Sequence, residues 1–457
     1  MSLVKNQCVP LEISAVTSLG SGIGRFVDAD YPEGLVVFVP YTAAGDRIEC
    51  RILKVEKRHA YGKIERLLSP SPDRVDDVGC AVFGKCGGCA WRHVTYEAEQ
   101  RYKAQQVKDC LRRIGGIETE PAPLVGSERV DRYRNKAQYP VAPGPHRPLI
   151  GFYAPHSHRV VEQCDCALQP PVFGEVVRLV RRWMRQSGAA PYDERTGEGL
   201  LRHIYIRQAE QTGQLMVCLV CTSGKLPQPR ALVDALRTIP GMTSILCNIN
   251  DRDTNVVLGD REFPLFGEPA IIDELCGLQF RLSSRSFYQV NRRQAEALYR
   301  LAADAAGLTG KETLLDLYCG TGTIGLSMAA RAREVIGVEI VPQAVEDARR
   351  NAEQNGISNA RFLCADASEA VRQLEAEGIR PDVVVLDPPR KGCGGDVLKA
   401  IGRFGPRRVV YVSCDPATLA RDCRLLGDLG YTVRRVTPVD LFPRTAHVET
   451  VALLERE

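Results

Sequence analysis

A cysteine stands where one of the predicted strands ends. The segment RRVVYVSC is rich in β-branched and aromatic residues, and it gives way at Cys414 to Asp415 and Pro416. A thiolate adds well to C6 of a pyrimidine and turns the barely nucleophilic C5 into an enolate carbon. Cys414 is therefore a candidate nucleophile for chemistry on a pyrimidine ring. The alternative is a packed core thiol, which is the commoner fate of a cysteine.

Glu449 is a candidate base for the same chemistry. It interrupts the apolar strand HVETVALLE near the end of the sequence. Apolar surroundings raise the pKa of a carboxyl group toward neutrality, where it can exchange protons. A base of this kind must remove the C5 proton before the cysteine can leave by elimination. The alternative is an exposed residue of an edge strand.

A glycine-rich turn indicates a nucleotide-like cofactor. The segment LLDLYCGTGTIGL places Gly320, Gly322 and Gly325 in the spacing G-x-G-x-x-G, after a strand and at the start of a helix. Glu339 ends the next strand, about 20 residues further on, where a carboxylate can accept hydrogen bonds from ribose hydroxyls. NAD and S-adenosylmethionine both contain that ribose, so the turn alone does not choose between them.

Further carboxylates favour S-adenosylmethionine. Asp316 precedes the glycines, where it suits the amino and sulfonium charges of this methyl donor and would repel a pyrophosphate. Asp366 ends a third strand and could read the adenine amino group, while Asp387 begins the stiff turn DPPR at the end of a fourth. Arg390 takes the place that an aromatic ring has in amine methyltransferases. Each acid singly could equally be a helix cap, but their order predicts a methyltransferase.

Three early cysteines predict a metal centre. Cys80, Cys86 and Cys89 lie in the glycine-rich loop GCAVFGKCGGCAW, which can turn three sulfurs toward one point. A four-thiolate zinc site would normally offer a second close pair, and the accessible later pair is Cys164 and Cys166. From the spacing alone, either member of that pair could be the fourth ligand. The alternative is a set of ordinary buried thiols.

Alternation of apolar and polar residues from 11 to 68 predicts a small β-barrel. Its last strands carry cations with His59 and Tyr61 among them, a pattern that could follow a phosphate backbone and stack a base; these cations are Arg51, Lys54, Lys57, Arg58, Lys63 and Arg66. A solvated basic face is the equal alternative. A second candidate RNA-contacting strand is VDRYRNKAQYP, with Arg132, Tyr133, Arg134 and Lys136.

Composition limits the possible classes. The chain has 457 residues, 44% of them hydrophobic and 25% charged, as expected for two or three globular domains. A net charge of +4 neither requires nor excludes RNA. The first residues lack the apolar core of a secretory signal, and no apolar run reaches the roughly 18 residues of a membrane span. We therefore expect a cytoplasmic protein without a membrane partner, in which the 17 cysteines do not form a disulfide framework.

Five motifs carry a resemblance to a known family. SFYQVN at 286–291, DLYCGTGTIG, VVLDPPRKG, YVSCDPATLARD and FPRTAHVE occur in this order. Together they resemble the bacterial RNA uridine C5-methyltransferases, and most closely the 23S ribosomal RNA branch that has an iron-sulfur cluster. The resemblance covers nearly the whole chain. It departs at Arg444 in FPRTAHVE, where similar proteins carry His or Gln.

The resemblance implies roles for individual residues. Cys414 is the nucleophile and Glu449 the general base. The positions around S-adenosylmethionine are Gln289, Tyr318, Glu339 and Asp387, and Asp387 also faces the target uracil. A [4Fe-4S] cluster is held by Cys80, Cys86, Cys89 and Cys166, with Cys164 as the rival fourth ligand.

The expected architecture is multidomain α/β. Residues 1–69 form an OB-like barrel resembling the TRAM type. Residues 70–280 form an α+β domain with the iron-sulfur cluster. The helix of this second domain at about 97–116 packs on the catalytic domain, as in similar proteins. Residues 281–457 form a doubly wound, Rossmann-like methyltransferase domain. We expect a monomer whose partner is 23S ribosomal RNA rather than DNA, with the target uridine single-stranded or flipped out.

Two other functions stay open from the sequence. The first is methylation of transfer RNA, which the barrel and the cluster cysteines disfavour because relatives acting on transfer RNA generally lack both. The second is a non-catalytic iron-sulfur protein that binds RNA, which would not need Cys414 and Glu449 together.

Overall fold

The first part of the chain closes into a small barrel. A computed structural model describes residues 3–456. The barrel strands are β1 (Cys8–Val16), β2 (Ser21–Phe26), β3 (Leu35–Pro40), β4 (Arg47–Val55) and β5 (His59–Ser69). They pair in the order β1-β2-β3-β5-β4, and alternate apolar side chains such as Ile13, Val37 and Ile52 are fully buried inside. The predicted small barrel is confirmed, and it has five strands.

A seven-stranded sheet forms the central part, after helix α1 (Tyr96–Cys110). Its elements are β6 (Lys136–Ala142), β7 (Leu149–Tyr153), β8 (Val160–Glu162), α2 (Pro171–Ser187), β9 (Leu201–Gln208), β10 (Leu215–Cys221), α3 (Pro229–Leu236), β11 (Met242–Ile249) and β12 (Arg261–Gly267). The strand order is β12-β11-β10-β9-β6-β7-β8. A hairpin of β13 (Ala270–Leu275) and β14 (Leu278–Ser283) leads to the last part.

A second seven-stranded sheet, with helices on both faces, forms the carboxyl-terminal part. Its elements are α4 (Arg292–Ala306), β15 (Thr313–Leu317), α5 (Thr323–Met328), β16 (Glu334–Glu339), α6 (Pro342–Gln354), β17 (Ala360–Cys364), α7 (Ala367–Ala376), β18 (Val383–Leu386), α8 (Gly395–Phe404), β19 (Arg408–Ser413), α9 (Pro416–Gly427), β20 (Tyr431–Val439) and β21 (Glu449–Arg456). The strand order is β17-β16-β15-β18-β19-β21-β20. Five neighbouring strands, β15 to β19, are parallel to one another.

The two last strands of this sheet are not parallel to the other five. β21 enters between β19 and β20 and runs antiparallel to both. Alternate side chains of the parallel strands pack on opposite faces: Leu314 faces the core beneath α4 to α6, and Leu315 faces the core beneath α7 to α9. This arrangement is the predicted doubly wound fold. Within residues 3–456, no helix combines the length and apolar character that crossing a membrane requires.

Helix α1 packs on the carboxyl-terminal sheet although it precedes the central one. The hydroxyl of Thr95 caps its start by accepting a hydrogen bond from the Ala98 amide. The helix continues as a π-helical turn and stops at Gly116, whose φ of 64° is left-handed. Val107 and Leu111 are buried in the core that α9 also covers. The segment from α1 to Gly116 is therefore a structural part of the last domain.

Candidate active site

Strand pairing brings the candidate nucleophile and the candidate base together. Ser413 and Thr450 face each other in the antiparallel pair of β19 and β21, so Cys414 and Glu449 are the next residues in the same register. β18 lies beside β19 and ends immediately before Asp387. The three side chains therefore reach one edge of the sheet. Cys414 is half-buried, whereas Glu449 is only 4% exposed.

Burial keeps protons on these groups. Burial raises the pKa of Glu449 to about 8, with a further increase from Asp387 and an opposing effect of Arg390. Burial likewise raises the pKa of Asp387 to about 7. The pKa of the Cys414 thiol rises to about 11, first through burial and then through Glu449 and Asp387, while Arg390 lowers it. A carboxyl group poised near neutrality beside a thiol is the pattern expected of a base that serves a nucleophile.

A histidine that the sequence analysis gave no role completes this edge. Nε2 of His447 lies 3.2 Å from Nη2 of Arg390. Burial, and then the charge of Arg390, lower the pKa of His447 to about 4, so the ring is neutral near pH 7. The sequence signal was its place in FPRTAHVE, two residues before Glu449.

The glycine-rich turn is built as the spacing predicted. Gly320 and Gly322 have left-handed φ angles of 55° and 81°. A Cβ atom on Gly320 would meet no heavy atom within 4 Å, so there is open space beside its backbone. Glu339 braces the turn, because its carboxylate accepts hydrogen bonds from the amides of Gly320 at 3.1 Å and Val341 at 2.9 Å.

Asp316 has one carboxylate oxygen without a partner. Its Oδ2 accepts a hydrogen bond from the Gly325 amide at 2.8 Å, whereas its Oδ1 is buried and makes no hydrogen bond. The side chain is 1% exposed, and burial raises its pKa to about 7. An orphaned carboxylate oxygen beside an open glycine turn fits a ligand with a cationic group, such as the amino group of S-adenosylmethionine.

The remaining predicted cofactor residues differ in their exposure and in their contacts. Tyr318 has a left-handed φ of 66° and lies beside the Cys393 thiol. Gln289 is 8% exposed, and it precedes α4. Asp366 is exposed and caps α7, because its Oδ1 accepts hydrogen bonds from the Ser368 amide and hydroxyl at 2.9 and 2.6 Å. The capping alternative thus describes the contacts of Asp366.

Four of the early and central cysteines share one cavity. Cys80, Cys86, Cys89 and Cys166 line a space of about 270 Å³. The Gly88 amide donates a hydrogen bond to the Cys86 sulfur at 3.4 Å, as amides do to bound thiolates. Within residues 3–456, no three His, Cys, Asp or Glu side chains are grouped closely enough to hold a single metal ion.

The rival cysteine lies apart from this cavity. Cys164 does not line the space, and its sulfur instead accepts a hydrogen bond from Nη2 of Arg181 at 3.2 Å. Each thiolate of a four-iron cluster binds a different iron atom, so such a cluster needs a wider set of sulfurs than one ion. The four cavity cysteines fit that group by number and chemistry.

The prediction that VDRYRNKAQYP is an RNA-contacting strand is wrong for its aromatic residue. Tyr133 is 4% exposed and donates a hydrogen bond to the Pro443 carbonyl at 2.9 Å, so it cannot stack a base. Arg132 binds Asp165 and the Cys166 carbonyl, at 2.7 and 3.0 Å. Lys136 begins β6 and lines the cysteine cavity. The ring of Tyr133 therefore packs inside the protein, whereas Arg132, Arg134 and Lys136 are only half-buried.

The barrel presents an exposed aromatic group at the predicted place. Phe38 and Tyr61 face each other across β3 and β5, with ring centroids 5.8 Å apart. His59 contacts both rings, and Tyr61 is 43% exposed. A base could therefore stack on this group from solvent.

Comparisons with known proteins identify the family. Residues 274–457 match the model of the tRNA (uracil-5-)-methyltransferase family, and residues 5–64 match that of the TRAM domain. An uncharacterized RNA methyltransferase of Halalkalibacterium halodurans is 43% identical, covering 99% of this chain and 97% of its own. An uncharacterized RNA methyltransferase of Clostridium acetobutylicum is 42% identical to this chain. The match covers 99% of this chain and 98% of that protein.

A solved structure agrees over the same length. The tRNA (uracil-54, C5)-methyltransferase of Pyrococcus abyssi, in complex with S-adenosyl-L-homocysteine, has a TM-score of 0.77 and 27% identity. The match covers 98% of this chain and 100% of that one. The chain therefore belongs to the family of S-adenosylmethionine-dependent RNA uracil-5-methyltransferases, and it carries a TRAM domain at its amino-terminal end.

Proposed function

We propose that this enzyme forms 5-methyluridine at a uridine of 23S ribosomal RNA through a covalent bond between Cys414 and C6. The observation that carries the proposal is the adjacency of Cys414 and Glu449 in the register of β19 and β21, with Asp387 at the same edge. A nucleophile, a base with a raised pKa and a cation, Arg390, are the groups that this reaction needs.

The proposed reaction changes bonds at C5 and C6 of the uracil ring. The Cys414 thiol loses its proton to water, and Arg390 favours the resulting anion. The sulfur bonds to C6 while the C5–C6 electron pair moves toward C5 and O4. Bound S-adenosylmethionine supplies the methyl group that C5 takes up. Glu449 then removes the C5 proton, the C5–C6 double bond re-forms, and the bond from C6 to sulfur breaks.

The cofactor pocket in this proposal is formed by the strand ends. Asp316 binds the amino group with its free oxygen, and Gly320 and Gly322 keep the backbone open beside it. Glu339 binds the ribose, and Asp366 reads the adenine. Gln289, Tyr318 and Asp387 complete the surroundings of the methyl donor.

The test of the covalent step uses RNA in which the target carries 5-fluorouridine. Fluorine at C5 cannot be removed as a proton, so the wild type should form an RNA complex that survives denaturation, and Cys414→Ala should not. Glu449→Gln should stall on ordinary RNA after methylation, with the RNA still attached. Free methylated product released rapidly by Glu449→Gln would contradict the base assignment.

Transfer RNA is the second candidate substrate, and a specific observation favours it. The Pyrococcus protein named for uracil 54 of transfer RNA matches 98% of this chain, so a barrel by itself does not distinguish ribosomal from transfer RNA substrates. The proposal of 23S RNA rests on the motif resemblance and on the cavity cysteines. Mass mapping of 5-methyluridine in both RNAs, from cells with and without the gene, decides between them. The non-catalytic alternative has no support in the family assignment.

We further propose that Cys80, Cys86, Cys89 and Cys166 hold a [4Fe-4S] cluster with a structural or RNA-positioning role. The shared cavity and the amide that faces Cys86 support this assignment. The methylation itself is redox-neutral and does not require the cluster. Iron and sulfide analysis of anaerobically purified protein tests its presence. A protein that loses the cluster but keeps its fold and RNA affinity would refute the role.

A further inference from the structure

The loop between β20 and β21 leads directly into Glu449, and it contains a residue in an unusual conformation. Arg444 has a left-handed φ of 69°, which residues with a side chain rarely adopt. Such a conformation persists only where its surroundings hold it. The contacts of Arg444 therefore indicate what fixes this loop.

The backbone of Arg444 is held by the segment that follows the cysteine loop. Its carbonyl accepts hydrogen bonds from the amides of Ala90 at 2.8 Å and Trp91 at 3.1 Å, directly after Cys89. Its own amide donates to Oε1 of Glu99 at 2.7 Å. A short piece of chain next to the cysteine cavity thus grips the loop that carries the candidate base.

The side chain of Arg444 points into the same segment. Its Nη1 donates to the Val94 carbonyl at 3.2 Å and lies 3.6 Å from Oε2 of Glu99. The guanidinium lies over the Tyr96 ring, 5.8 Å from its centroid, and the side chain is only 14% exposed. These contacts join the loop to the start of α1.

A buried ion network continues from Glu99 to the beginning of the loop. Nζ of Lys103 lies 2.7 Å from Glu99 and 2.8 Å from Asp440, and all three side chains are at most 1% exposed. Lys103 also donates to the Phe442 carbonyl at 3.1 Å. Lys103 and Arg444 both lie beside Glu99, so loss of the arginine leaves this buried carboxyl group with one neighbouring cation instead of two.

The other end of the loop lies at the active site. His447 contacts Arg390, and Glu449 follows two residues later beside Cys414. The loop therefore has one side fixed by Arg444 and the other in contact with the reacting groups.

We propose that Arg444 is a positioning residue for Glu449: it fixes the loop 440–448 against the segment 90–99, which ties the geometry of the base to the chain beside the cysteine cavity. This inference rests on the proposed function, in which Glu449 removes the C5 proton. A displaced base slows proton removal while the nucleophile and the cofactor turn keep their places.

The experiment compares Arg444→Gln, Arg444→Lys and the exposed control Arg424→Ala on α9. In single-turnover reactions with uridine RNA, the covalent complex should decay about 10- to 100-fold more slowly in Arg444→Gln, the range that small misplacements of a reacting group cost. Lysine should restore part of the rate because it returns the charge. Binding of S-adenosylmethionine and trapping by 5-fluorouridine RNA should match the wild type, and Arg424→Ala should be unchanged throughout.

The outcomes separate this inference from the proposed function. The positioning role is overturned if the covalent complex of Arg444→Gln decays as fast as that of the wild type. It is also overturned if Arg444→Gln weakens cofactor binding and trapping as much as it slows the decay of the complex. Failure of the wild type to trap 5-fluorouridine RNA refutes the proposed function instead. If Arg444→Gln does not fold, hydrogen exchange of the wild type decides: amides of 444–448 should be protected as those of β21 are, and exchange as fast as in an exposed loop overturns the inference.

Discussion

Replacing Glu449 by glutamine should change how the stability of the protein depends on pH. Glu449 is 4% exposed, and burial raises its pKa from an ordinary value of 4.5 to about 8. Between these values the folded protein holds a proton that the unfolded chain releases, so the free energy of unfolding falls as the pH rises through this window. One pKa unit corresponds to ~1.4 kcal/mol, so a charged Glu449 costs the fold at most about 5 kcal/mol above pH 8.

Glutamine carries no charge at any pH and escapes this loss. Relative to the wild type, Glu449→Gln should therefore gain about 3 kcal/mol of unfolding free energy between about pH 5.5 and about pH 8.5. Hydrogen exchange of the β19 and β21 amides, corrected for the intrinsic rate at each pH, measures this locally, since a multidomain chain does not unfold in one step.

The matched control for this experiment is Glu353→Gln, at an exposed position of α6. The control should show no gain between the two pH values. A difference between Glu449→Gln and the wild type that stays constant with pH would refute the reasoning, because it would mean that the carboxyl group is already charged at the lower pH.

Three further changes test other parts of the molecule. Asp316→Asn should weaken the binding of S-adenosylmethionine about 10- to 100-fold by calorimetry, because the buried Oδ1 would lose its charge; unchanged affinity would remove Asp316 from the pocket. Tyr61→Ala should weaken RNA binding about tenfold, the cost of one stacked base, and leave cofactor affinity intact; equal RNA affinity would make the barrel aromatics a solvated face. Cys166→Ser should lower the iron content, whereas Cys164→Ser should keep it, and the reverse result would exchange the two ligands.

Local sequence signals predicted the elements that repeat regularly. Alternation of apolar residues predicted the barrel, and the order of strands and helices predicted the doubly wound sheet. The same reasoning placed acids at successive strand ends, because parallel strands meet their ligands at one edge. Cys414 and Glu449 were singled out by their chemistry alone, and strand pairing then brought them together.

The features that sequence reasoning missed depend on contacts between distant parts of the chain. The sequence around Tyr133 indicates a surface aromatic residue among cations. In the structure, however, its hydroxyl donates a hydrogen bond to the carbonyl of Pro443, in the loop before Glu449. The antiparallel entry of β21 between β19 and β20 has no signature within β21 itself. Arg444 was noticed as a departure from similar proteins, and only the structure supplies its partners Val94 and Glu99.

The packing of α1 has a consequence for dividing this protein into pieces. Val107 and Leu111 are buried in the core that α9 covers, and Gly115 approaches the Ala420 carbonyl so closely that a Cβ atom there would stand 3.0 Å from it. A catalytic fragment begun at residue 281 would expose that apolar face to water and would leave Asp440 without the charge of Lys103. Engineered chimaeras that exchange the barrel and the central sheet should therefore keep residues 96–116 together with the carboxyl-terminal sheet.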